Sequence, residues 1–164
     1  TSSPLFVSQF TSIRDQAYSI YAVGPLAAPV DDLILGDDRR TVPTQTRFRF
    51  VHAAASLGAS SAVDVYLTRT GVAIDFNADD DTDATDNAAN VRQVSNLAYR
   101  AAGGYVTLEG GTYDVYFATA GATTTLIGPV VMSFPNGGIQ TIVLTDSAAT
   151  PSALTVLAVD DAAN

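Results

Sequence analysis

Twelve residues, Asp75-Phe76-Asn77-Ala78-Asp79-Asp80-Asp81-Thr82-Asp83-Ala84-Thr85-Asp86, carry the pattern in this sequence that comes nearest to a ligand set. Counted from Asp75, side-chain oxygens fall on alternate residues, Asp75, Asn77, Asp79, Asp81 and Asp83, and Asp86 closes the run at the twelfth place. This is the rhythm of an EF-hand-type loop, in which alternate side chains converge on one hard cation that takes six to eight oxygens. Asp80 stands where such loops use glycine for a sharp turn, Asp86 is shorter than the usual closing glutamate, and no helical periodicity flanks the run. Six of the chain's 17 acidic residues crowd into it, and they repel unless a cation or solvent screens them. The expectation is weakly bound calcium in a structural role, ordering a long loop, with magnesium disfavoured by its stricter octahedral geometry. A hydrated acidic loop without metal would have the same composition.

The other reactive residue types suggest packing rather than catalysis. His52, the sole histidine, alternates with Phe48 and Phe50, which places it at the edge of a core and not as a ligand or base. Serine and aspartate are too frequent for any nucleophile–base–acid trio to stand out, so no catalytic residues are assigned and the chain is read as a non-enzyme. Arg49 and Asp64 both face away from the apolar side of their strands and could pair between neighbours. Tyr105, Tyr113 and Tyr116 would serve either as a carbohydrate platform or as cross-strand packing, the latter being the commoner use. Gly103-Gly104 and Gly110-Gly111 lack phosphate-loop spacing and read as turns.

The elements that must position these residues are strands. Residues 103–119 contain two alternating runs joined at Glu109-Gly110-Gly111, a β-hairpin signal, with Tyr113, Val115 and Phe117 on one side and Asp114, Tyr116 and Ala118 on the other. The same alternation marks strands at 5–13, 17–23, 33–35, 46–52, 62–68, 91–99, 123–127, 130–134, 139–145 and 154–159. Phe48 and Phe50 oppose Arg47, Arg49 and Val51, and Val63, Val65 and Leu67 oppose Asp64 and Tyr66. Asp37-Asp38-Arg39-Arg40 reads as a solvated connection. The series at 18–23 and 33–38 is echoed at 140–145 and 156–161, offset by about 122 to 124 residues.

Composition sets the outer limits. Hydrophobic residues make up 47% of 164, enough for one sizeable core, despite a net charge of −9. That charge comes from 16 Asp and one Glu against eight Arg and no Lys. Aspartate favours turns and loops where glutamate favours helices, which agrees with a β protein. An acidic surface argues against nucleic acid and anionic membrane as partners. There is no cysteine, hence no disulfide or thiolate metal site, and no apolar run long enough to insert in a membrane as a helix.

Arg47-Phe48-Arg49-Phe50-Val51-His52-Ala53, Val63-Asp64-Val65-Tyr66-Leu67, Asn96-Leu97-Ala98-Tyr99 and Gly104-Tyr105-Val106-Thr107-Leu108-Glu109-Gly110-Gly111-Thr112-Tyr113 occur in that order. Together they resemble the bacterial domain-of-unknown-function family 4397 over residues 46–161. Ala54-Ala55 replaces the usual Ser-Pro, and the acidic segment is an addition to the family pattern. The resemblance implies an immunoglobulin-like sandwich in exported or surface proteins, often in tandem, and carries over no catalytic residues. The expected fold is therefore an all-β, immunoglobulin-like β-sandwich over 46–164, with additional N-terminal strands at 1–45 that are either the tail of a preceding module or a segment donated to a neighbour. The expected role is a non-catalytic structural or adhesive module of a bacterial extracellular or cell-surface protein, partnered by itself or other surface proteins and self-assembling by strand sharing. The alternative is a calcium-dependent polysaccharide-binding module.

Overall fold

The structure, a computed structural model, describes residues 7–25, 30–76, 90–150 and 152–161, with the backbone alone at 90–92. Its strands are β1 (Ala17–Val23), β2 (Asp31–Asp37), β3 (Gln45–His52), β4 (Ala62–Arg69), β5 (Asn90–Ala98), β6 (Ala101–Ala102), β7 (Val106–Glu109), β8 (Gly111–Thr119), β9 (Thr125–Phe134), β10 (Ile139–Asp146) and β11 (Leu154–Asp160). A 3-10 turn, Ala55–Leu57, follows β3. One sheet runs β11-β10-β3, with β6 and then β7 on the far side of β3; a second runs β5-β4-β8-β9; β1 and β2 pair only with each other. All these pairings are antiparallel except β3 with β10.

Period-two alternation explains why the two larger sheets stack. Phe48 and Phe50 from β3 and Ile142 and Leu144 from β10 meet Val63, Val65 and Leu67 from β4 and Tyr113, Val115 and Phe117 from β8 in one buried cluster. Phe50 packs edge-on to Phe117 at 5.9 Å between ring centroids, and Phe48 lies 4.8 Å from Phe134. Each such side chain contributes about 1.5–3 kcal/mol by leaving water. The expected all-β sandwich-like architecture is present, and the predicted inward and outward residues of β3, β4 and β8 lie as alternation requires.

Three expectations are corrected. The runs joined at Glu109-Gly110-Gly111 are not a hairpin: β7 pairs with β3 and β8 pairs with β4 and β9, so this turn carries the chain from one sheet to the other. Alternation shows that two strands exist but not whose edge each one finds. The turn is fixed by Tyr113, whose hydroxyl donates to the Glu109 carbonyl at 2.7 Å, and by Asn136, whose Oδ1 accepts from the Gly110 N–H at 2.9 Å. The runs at 123–127 and 130–134 are one strand, β9, whose register to β8 shifts between Val115 and Phe117, next to Gly128. The predicted strand at 5–13 forms no ladder over its described part, where Val7 and Ile13 are exposed.

The hairpin of β1 and β2 forms a third layer. Tyr21, Val23, Leu33 and Leu35 lie on Val51, Ala53 and Val143, covering the outer face of the β10-β3 sheet. It lies on a sheet face and adds no strand to an edge of either larger sheet. Among the described residues, no helix is long and apolar enough to cross a membrane.

Candidate functional site

The outer face of β3 brings two guanidinium groups under the hairpin, because Arg47 and Arg49 alternate with the buried Phe48 and Phe50. Arg49 is 3% exposed, so its charge must be met locally. Its Nε donates to Thr141 Oγ1 at 2.8 Å, one terminal nitrogen to the Gly36 carbonyl at 3.0 Å, and the other to Asp37, also buried. Asp161 stands 3.9 Å from the same nitrogen; its Oδ2 accepts from Thr141 Oγ1 at 2.6 Å and from the Tyr105 hydroxyl at 3.0 Å. The Tyr105 ring lies over both arginines, with guanidinium carbons 5.0 and 4.8 Å from its centroid. Burial, more than the neighbouring carboxylates, pushes the Tyr105 hydroxyl above the ordinary phenol range.

Two further pairs fasten the hairpin and the chain leaving it. Arg47 donates to Asp38 at 2.9 Å and to the Arg40 carbonyl at 2.7 Å. Hydrogen bonds from Arg40 and then Arg47 hold the Asp38 carboxyl well below the usual range. Asp31, at the start of β2, pairs with Arg100, whose hydrogen bond lowers its pKa. Asp31, Asp37 and Asp38 thus meet Arg100, Arg49 and Arg47 of the sandwich. The expectation that the charge run at 37–40 is a solvated turn is corrected, since Asp37 is buried and Asp38 is half-buried. Tyr105, Thr141 and Asp161 join this network although no local pattern in the sequence marks them for it. A signal was present: two arginines on one face of a strand whose other face is phenylalanine need opposite charges from elsewhere in the chain.

Of the expected calcium ligands, Asp75 alone lies in the described part; Asn77, Asp79, Asp81, Asp83 and Asp86 lie outside the described residues. Among the described residues, no group of three histidine or acidic side chains is placed to hold a metal ion. The approach to the acidic segment is firmly seated. Ile74 and Phe76 cover Tyr66, Tyr116 and Ala118 on the outer face of the β4-β8 sheet, with Phe76 edge-on to Tyr66 at 5.2 Å. In β8, Asp114 accepts from the Gly71 N–H at 3.3 Å, while its other oxygen and Thr68 Oγ1 of β4 are buried without a hydrogen-bond partner.

His52 is wholly buried. Its Nδ1 accepts from the Ala54 N–H at 3.4 Å, which puts the proton on Nε2, 3.0 Å from Ser61 Oγ; Ser61 in turn donates to the Gly58 carbonyl at 2.7 Å. Desolvation lowers its pKa. This is the packed core-edge histidine that alternation predicts. Arg49 and Asp64 do not pair, since they lie in different sheets; Asp64 accepts from the Asn96 and Gly121 N–H groups at 2.7 and 2.9 Å. The three tyrosines share no platform: Tyr113 lies in the core, Tyr116 under Ile74 and Phe76, and Tyr105 over the arginines.

No protein-family model matches this chain, and comparison with curated proteins gives no match.

Proposed function

We propose that this chain is a non-catalytic structural or adhesive module of a bacterial extracellular or cell-surface protein, self-assembling by strand sharing. The observation that carries the reading is the arginine–aspartate clasp: the buried charges of Arg49, Asp37 and Asp161 meet one another and Thr141, and so hold the hairpin on the sandwich. An immunoglobulin-like relation fits the Tyr113 corner, because a tyrosine hydroxyl bonded to backbone a few residues upstream, where the chain crosses between sheets, recurs in that fold. The edge strand β9 exposes Leu126 and Val131, which suits lateral association.

The test is solution mass by light scattering in calcium and then in excess chelator, with a glycan-binding screen in both. An oligomer indifferent to chelation, with no glycan retained, is the expected result. A monomer that holds polysaccharide only with calcium would overturn it. That second reading, a calcium-dependent polysaccharide-binding module, draws on the seating of Phe76, the residue just before the acidic run, against Tyr66 and on the unsatisfied Asp114 oxygen in β8.

A further inference from the structure

Two hairpins in this molecule repeat one another in detail. Shifting β1 by about 122 residues and β2 by about 124 lays one ladder on the other: Tyr18↔Gly36 falls on Gln140↔Asp160, and Val23↔Asp31 on Thr145↔Thr155. Sequence alignment alone places the second strand one residue away from this register. Ile20, Leu33 and Asp37 fall on Ile142, Leu157 and Asp161. A side-chain bond repeats as well: Ser19 Oγ donates to Asp37 at 2.9 Å, and its equivalent Thr141 Oγ1 donates to Asp161 at 2.6 Å.

The two copies differ in what covers them. Ile142 faces the sandwich core and is 0% exposed, beneath the β4-β8 sheet, whereas Ile20 is 54% exposed. Conversely, Leu33 packs against the sandwich, whereas Leu157 is 51% exposed. The Ile20 face carries only a makeshift cover. Residues 7–13 cross it without a ladder, Phe10 resting on Tyr18 at 5.4 Å, while Val7 and Ile13 stay 78% and 66% exposed.

We infer that β1 and β2 are the closing hairpin of a second sandwich of the same kind, and that their Ile20 face is completed by a body equivalent to β3–β9. The two sandwiches then stand back to back across the outer face of the β11-β10-β3 sheet. One occupant accounts for both apolar surfaces, because the second body also covers Leu157 and Val159 as this one covers Leu33 and Leu35. The inference deepens the reading of the chain as a structural module by naming the partner of its hairpin.

A fusion tests it. A copy of residues 45–138 is placed directly before Ala17, replacing residues 1–16, so that Gly138 runs into Ala17 as it runs into Ile139 in the protein itself. The expected result is that amides of the added body become slow to exchange. Ile20→Asp should abolish that protection in the fusion, leave the body at 45–164 protected, and leave the original chain's stability unchanged. An added body that exchanges like unfolded chain, or that is protected regardless of Ile20→Asp, would overturn the inference. So would an Ile20→Asp that destabilises the original chain, since residues 7–13 would then be the native cover. The light-scattering test is made on the unaltered chain, so the two readings can fail separately.

Discussion

Arg49 concentrates the energetics of the clasp in one side chain. Removing one partner of a buried pair leaves the other charge uncompensated, at a cost of about 3–5 kcal/mol. Arg49→Leu, which strands Asp37 and leaves Asp161 without its neighbouring cation, is expected to lower the urea midpoint accordingly. Tyr105→Phe loses one hydrogen bond to Asp161 and should cost about 0.5–1.5 kcal/mol. A near-neutral Arg49→Leu would mean that the hairpin is not held by this clasp. His52 contributes a pH dependence whose sign is fixed by its lowered pKa. With the folded pKa below the unfolded value near 6.5, the unfolded chain takes up the proton first as pH falls. The histidine's contribution is therefore complete above about pH 7 and is lost below it, with a slope of at most about 1.4 kcal/mol per pH unit. Denaturant melts between pH 7 and 5.5 should show this slope, and His52→Gln should flatten it.

At the scale of elements, the crossing between β7 and β8 and the junction at Gly128 decide how the sheets fit. A Cβ on Gly128 would lie 2.7 Å from Tyr116 Cδ1 and 2.8 Å from the Val115 carbonyl oxygen, and its φ of +134° is one that side chains rarely adopt. Gly128→Ala is expected to destabilise by about 1–3 kcal/mol and to loosen β9 from β8, read as faster amide exchange along that pair. A variant as stable as the parent would show that β9 can slide without loss. Alternation identified nearly every strand and the core-facing side of β3, β4 and β8, because side-chain direction is local. It missed the β7–β8 crossing because an Asx- or glycine-rich turn looks the same whether the chain folds back on itself or passes to another sheet.

At the scale of the whole molecule, the acidic run that follows Phe76 in the sequence bears on stability through calcium. If it holds calcium, binding to the folded state alone adds stability that grows with the logarithm of calcium concentration, about 2.7 kcal/mol at a hundredfold excess over Kd. Thermal melts in calcium and in chelator should then differ, and the combined substitution Asp79→Asn, Asp81→Asn, Asp83→Asn should erase the difference. Identical melts of the parent would identify a hydrated acidic loop. At the alkaline end, the raised phenols of Tyr105, Tyr113 and Tyr99 act together. Above about pH 10 the unfolded chain releases their protons before the folded one, so stability should fall as pH rises from there, and Tyr105→Phe should lessen the fall.

The sequence by itself determined the class of fold, the core-facing residues of β3, β4 and β8, the packing of His52 and the echo of residues 18–38 in 140–161, since all of these follow from period-two patterning and residue type along short stretches. Only the tertiary structure decided where the charges meet. Asp37 and Asp161 lie 12 and 112 residues from Arg49 along the chain, and nothing local marks them as its partners. They come together because the hairpin lies across the outer face of β3, which a third layer can cover only where burial of Tyr21, Val23, Leu33 and Leu35 offsets the cost of closing the chain.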